Sequence, residues 1–196
     1  MEYLESGIVN DVRECIDEIG LNDAVFVGGT DDAEMSVIIQ SKIVDAIRFV
    51  LLSADTVLLE PKSEEYTSNG ALPVDFLRMC LITSTSWSIP VYRLIPGNSK
   101  EYASLKNTHT TGFTDNPKVA LTFANKSKQL EFYPSLTNGA TLYYVPEPSI
   151  SNGKYSIPER LYRGVVYYAA GLTLSAYKDA HASNLMGQAM EMIGGK

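Results

Sequence analysis

The chain has 196 residues, 45% of them apolar and 20% charged, the balance of a globular protein with a real core and not of a disordered one. The length predicts one domain of ordinary size, or a compact body with a smaller inserted lobe. A formal net charge of −7 argues against a broad basic surface that grips nucleic acid. It leaves open plain solubility or an acidic surface that DNA passes without sticking. Cys15 and Cys80 form no CxxC pair, so reduced, intracellular thiols are expected.

Residues 2–19 place Leu4, Ile8, Val12, Ile16 and Ile19 at steps of four or three, predicting a helix with one apolar face that stops at Gly20. This acidic start reads as neither signal peptide nor membrane span, and no run reaches the roughly 18 uncharged apolar residues a span needs. Asn22 to Gly29 reads as a linker with a short apolar patch, Ala24 to Val27. Thr30 to Glu34 opens a second helix, with Asp31 and Glu34 near capping-box spacing. Met35, Ile38, Ile39, Ile43, Ala46, Ile47, Val50 and Leu51 give that helix a wide apolar stripe. Thr56 to Leu59 fits a strand or a last helical turn, and Lys62 to Gly70 reads as a polar loop.

From Gly70 to Pro96 the pattern changes. Pro73 and Pro90 each push the preceding residue into an extended conformation. Between them Phe76 to Trp87 is rich in β-branched and aromatic residues, predicting two short strands that meet near Thr85 to Ser88. Pro73, Trp87 and Pro90 are expected to fix the junction at which a helical body yields to a β lobe. Gly97 to Thr114 reads as a loop in which Ser99 caps a single helical turn to Leu105. Strands are expected at Lys118 to Ala124, Gln129 to Tyr133 and Ala140 to Val145, the last after an Asn138-Gly139 turn. About five strands suffice for one small antiparallel sheet or open barrel.

Pro158 opens a further helix in which Leu161, Val165, Val166, Tyr168, Ala169, Leu172, Leu174 and Ala176 spread over much of the circumference. Small residues Gly164, Ala169, Ala170 and Gly171 would admit a partner helix at close range. A final amphipathic helix carries Leu185, Met186, Ala189, Met190 and Ile193. The expected fold is α+β: a four-helix body, residues 1–70 and 154–196, with a small antiparallel β lobe, residues 71–153, inserted between the second and third helices.

A search for chemistry yields no catalytic set, no metal site and no cofactor motif. His109 and His181 have no Cys or carboxylate at ligand spacing. Gly28-Gly29-Thr30-Asp31-Asp32 lacks the lysine and glycine spacing of a phosphate loop. Ser84, Ser86 and Ser88 have no nucleophile-elbow context. The pairs Asp31/Asp32 and Glu64/Glu65 could bind a cation, although acids at a helix start or in a loop are usually just solvated. The twelve tyrosines and Trp87 suit a core or an interface better than a stacking platform, because little Lys or Arg is interleaved with them.

LPVDFLRM at 72–79, Trp87 followed by Ser-Ile-Pro-Val, Ser99-Lys-Glu-Tyr102, Asn107, Thr111-Gly112, Pro117 and Leu130-Glu-Phe-Tyr-Pro134 form a spaced series. Together with the helix from Arg160 to Leu172, this series resembles the tailed-phage head-to-tail connector proteins, above all the ring proteins of crAss-like phages and more distantly the podovirus tail tubular protein A adaptors. The resemblance covers about residues 1–193. It implies a homo-oligomeric ring, twelve-fold to match the portal, bound to the portal protein on one side and to the next ring or a tail protein on the other. DNA would pass through without specific binding, no membrane would be involved, and the protein would assemble in the host cytoplasm and reside in the virion. The implied role is assembly and not catalysis. Under this reading Gly164, Ala169 and Gly171 on the C-terminal helices, and Tyr102 and His109 in the Gly97 to Pro117 loop, are the expected subunit contacts. A soluble non-catalytic binding module, or a small hydrolase using Asp31 or Asp32, remains the alternative.

Overall fold

A computed structural model describes residues 1–17, 32–107, 109–124 and 126–194, with the side chains of 32 and 33 excepted. In chain order its elements are β1 (Glu2–Leu4), α1 (Glu5–Asp17), α2 (Asp32–Ser53), a 3-10 turn (Thr56–Leu58), β2 (Lys62–Tyr66), β3 (Gly70–Ala71), β4 (Phe76–Thr83), β5 (Leu94–Pro96), α3 (Lys100–Leu105), β6 (Lys118–Ala124), β7 (Ser127–Tyr133), β8 (Ala140–Pro146), β9 (Ile150–Ser151), β10 (Lys154–Ser156), α4 (Glu159–Ala176) and α5 (Ala182–Met192). The fold is therefore mixed, with five α-helices and ten strands in three sheets among the described residues. The chain divides into two compact units, one formed by Met1–Glu60 with Pro148–Lys196 and the other by Pro61–Glu147.

The first unit is not the purely helical body expected. It holds α1, α2, α4 and α5 together with a three-stranded antiparallel sheet of order β1-β10-β9. Residues 2–4 leave the predicted helix because they pair with 154–156, Tyr3 opposite Tyr155. Leu4 is 55% exposed, and the buried helical face begins at Ile8. The β9–β10 hairpin turns on Asn152 and Gly153, both at positive φ (52° and 71°), the backbone that an Asn-Gly pair favours.

Helix α4 is the centre of this unit. Its buried residues Leu161, Gly164, Val165, Val166, Ala169, Ala170, Gly171, Thr173 and Leu174 cover several faces, as their spread around the helix requires, and it contacts α1, α2 and α5. The apolar stripe of α2 supplies Ile39, Ile43, Ala46, Ile47 and Val50, all without exposed surface. Phe49 stacks on Tyr168 at 4.1 Å between ring centroids. The short run after α2 resolves as a 3-10 turn capped by the Asp55 side chain, which accepts from Val57 N. The expected end of the first helix at Ile19 and Gly20, the Ala24 to Val27 patch and the Asp31 capping box lie outside the described residues.

The second unit holds two sheets, β2-β8-β4 and β3-β7-β6-β5, facing each other over one core. Tyr66, Ile82, Trp87, Leu130, Phe132 and Leu142 meet there. Alternation along β6 and β7 sends Val119, Leu130 and Phe132 into this core, while Ala120 joins Ile95 and Leu105 beneath α3. In place of the one small antiparallel sheet or open barrel expected there are two sheets, and β5 runs parallel to β6, Ile95 opposite Ala120. The stretch expected as a polar loop, 62–70, contains β2, paired along its length with β8. All of Lys62 to Glu65 is exposed, so this edge strand lacks the apolar alternation that announces a strand.

Pro73, Trp87 and Pro90 do not mark the boundary between the units, which falls at Glu60 and Pro61. They sit inside the second unit, where the chain crosses from one sheet to the other. Phe76 N donates to Pro73 O (3.1 Å) in the β3–β4 turn, and Trp87 N donates to Ser84 O (3.1 Å) after β4. Val91 meets β4 through an isolated bridge to Ile82, and Leu94 to Pro96 is taken by β6.

Candidate functional site

Helix α3 and the ends of β5, β6 and β7 enclose a groove of about 650 Å3. Its apolar side includes Leu94, Pro96, Leu121 and Phe123, and its polar side Tyr102, Thr122, Lys128 and Glu131. Ser99 positions the helical wall. Its Oγ accepts from Tyr102 N at 3.1 Å, the cap expected from the sequence, and Gly97 lies so close to β6 that a Cβ there would stand 3.0 Å from Leu121 O.

Glu131 anchors the polar side. Its carboxylate accepts from Tyr102 Oη (3.0 Å), Tyr133 Oη (2.9 Å) and Thr122 Oγ1 (3.0 Å). Burial alone raises a carboxyl pKa, but the hydroxyls of Tyr133, Thr122 and Tyr102 and the Lys106 ammonium outweigh it and hold Glu131 below its usual range. The same contacts, after burial, push the Tyr102 and Tyr133 phenols upward. Lys106 sits 5.2 Å from the centre of the Tyr102 ring. The result is a fixed anion held by three hydroxyl donors, which suits holding a wall in place more than proton transfer.

The sequence-predicted contact residues separate. Gly164, Ala169 and Gly171 are buried inside their own unit, so they offer no subunit surface. A Cβ on Gly164 would meet Ile193 Cγ2 at 2.6 Å, and one on Gly171 would meet Met186 Cγ at 2.7 Å and Ala182 O at 3.0 Å. The small residues admit a helix at close range, but that helix is α5 of the same chain. Tyr102 is half-buried in the groove wall. His109 is exposed beyond α3, its N–H donating to Asn107 Oδ1 at 3.0 Å.

Glu64 and Glu65 are consecutive on β2 and point to opposite faces, so they do not converge on a cation. Asp31 and the Asp32 side chain lie outside the described residues, among which no group of three or more His, Cys, Asp or Glu could hold a metal ion. Ser84 Oγ donates to Gly139 O at 2.6 Å and lies 2.8 Å from Ser86 Oγ, a turn-stabilising arrangement. Cys15 and Cys80 are buried and are not disulfide-bonded. No helix among the described residues is long and apolar enough to cross a membrane.

The residues that sequence reasoning missed are Thr122, Phe123, Lys128 and Glu131. A carboxylate between Leu130 and Phe132 in an apolar strand is the signal that could have found the groove, since such a group must meet partners on the strand's other face. The second unit also exposes Val74, Ile89, Tyr92, Phe113 and Phe123, each by half or more. The chain matches no protein-family model and no curated protein.

Proposed function

We propose that the protein is a subunit of a homo-oligomeric connector ring that joins a phage portal to its tail and surrounds the passing DNA, with a structural and not a catalytic role. The observation that carries this reading is the set of large apolar side chains left in water by the β unit, Val74, Ile89, Tyr92, Phe113 and Phe123. They are held on turns and strand ends, where protein partners are the usual cover. The resemblance of the spaced motifs to connector proteins points the same way, as does the order of two long helices before residue 61 and two after residue 147. In this reading the first unit is the body and residues 61–147 form the inserted lobe. The net charge of −7 keeps DNA from adhering to the ring.

Mass spectrometry of purified virions tests the proposal: the chain should appear in stoichiometric amount alongside the portal and co-purify with it. A chain present in infected cells but missing from virions refutes it. The groove beside Glu131 favours a second reading, a soluble module that binds an extended peptide or small ligand; this reading predicts saturable binding by a chain that stays monomeric.

A further inference from the structure

Three of the exposed apolar residues of the β unit, Ile89, Phe113 and Phe123, mark two places along β6. Before the strand, Phe113 (50% exposed) sits on a tight turn closed by Phe113 N to Asn116 O (3.2 Å) and Asn116 N to Phe113 O (3.1 Å). Ser88 N donates to Thr114 O at 2.8 Å, which brings Ile89, also 50% exposed, to the same end. The loop is anchored on β7, since a Cβ on Gly112 would stand 2.1 Å from Tyr133 O. A rigid turn therefore holds Phe113 and Ile89 outward, with Asp115 exposed at its tip. Past the middle of the strand, Phe123 is 74% exposed at the rim of the groove, paired across the hairpin with Lys128. Neither Asp115 nor Lys128 has an ion-pair partner among the described residues.

The turn end carries Phe113, Ile89 and the exposed Asp115, and the groove end carries Leu121, Phe123 and the exposed Lys128 beside the hydroxyl-bound Glu131. Lys118 to Phe123 spans five steps of about 3.3 Å, so the two ends are about 17 Å apart along the strand. We propose that successive copies of this chain join head to tail through these ends: Phe113 and Ile89 of one copy enter the groove beside Phe123 and Leu121 of the next, and Asp115 meets Lys128. This rests on the ring reading and names the surfaces that close the ring. Like ends reject each other, because they would set lysine against lysine or aspartate against aspartate. The two surfaces are different, so each copy keeps one of each free and the contact propagates until the rotation closes it.

Cysteine pairing tests the contact in the full chain. Residues 113 and 123 are too far apart for a disulfide within one copy, which needs Cα atoms closer than about 7 Å, and the native thiols are buried. The double variant Phe113→Cys/Phe123→Cys should give a ladder of covalent multimers on oxidation, and an equimolar mixture of the two single variants should give mainly heterodimers. Lys128→Glu should cut heterodimer yield about fivefold, the effect of one exposed ion pair, and adding Asp115→Lys should restore it. Homodimers alone, or no crosslink, overturns the contact. If the unmodified chain still forms multimers in light scattering, only the contact fails; if it stays monomeric at every concentration, the ring reading fails too.

Discussion

Substituting Gly171 by Ala probes the seam between α4 and α5. Alanine elsewhere in a helix gains about 1 kcal/mol over glycine. Here the new Cβ would lie 2.7 Å from Met186 Cγ, 3.0 Å from Ala182 O and 3.3 Å from Met186 N. Met186 Cγ can swing aside, but the two backbone atoms belong to the first turns of α5 and cannot move unless the helix does. Overpacking of that kind costs about 1 to 3 kcal/mol, which leaves a net loss of about 1 kcal/mol after the propensity gain. Valine, which adds two methyls at the same point, should cost about 3 kcal/mol. Gly187 on α5 and Gly7 on α1 are internal controls: a Cβ at either meets nothing within 4 Å, so alanine at each should stabilise by about 1 kcal/mol. Urea unfolding followed by far-UV circular dichroism reads all four variants. Gly171→Ala stabilising the protein as much as Gly187→Ala would refute the close seam and return Gly171 to the role of an open subunit contact.

Leu142, fully buried between the two sheets, should cost about 2 to 5 kcal/mol as Leu142→Ala, and the unfolding of its unit can be followed by the fluorescence of Trp87, the sole tryptophan and part of the same core. Because the folded carboxyl of Glu131 titrates below its unfolded value, its stabilisation is present in full above the unfolded range and is lost as pH falls toward the folded value. The stability gap between the unmodified chain and Glu131→Gln should therefore shrink from about pH 6 to about pH 3; a gap that widens on acidification contradicts the hydroxyl cage. Ser99→Ala removes the cap of α3 and should cost about 1 kcal/mol, seen as faster amide exchange at Tyr102.

Long amphipathic helices were legible in the sequence because their burial is periodic and local. The Ile39 to Leu51 stripe and the Leu185 to Ile193 stripe end up on the faces their spacing predicts. The Ser99 cap was legible for the same reason, being settled within three residues. What escaped depends on distant partners. β2 is polar and exposed over Lys62 to Glu65 and is a strand only because β8 lies beside it, and β1 gives up helical phase to pair with residues 150 or more positions away. The crossing of residues 84–93 between two sheets arises because β6 captures β5 in parallel, a pairing that no local pattern encodes. Gly164 and Gly171 announce a close helix contact but not whose helix it is, and α5 of the same chain fills it.

The measurement that bears most directly on the account is the molar mass of the purified full chain by light scattering, with negative-stain images of the same sample. Self-association into closed rings, weakened by Lys128→Glu and regained with Asp115→Lys, is the predicted result. A chain that remains monomeric at every concentration, with images free of rings, would contradict it.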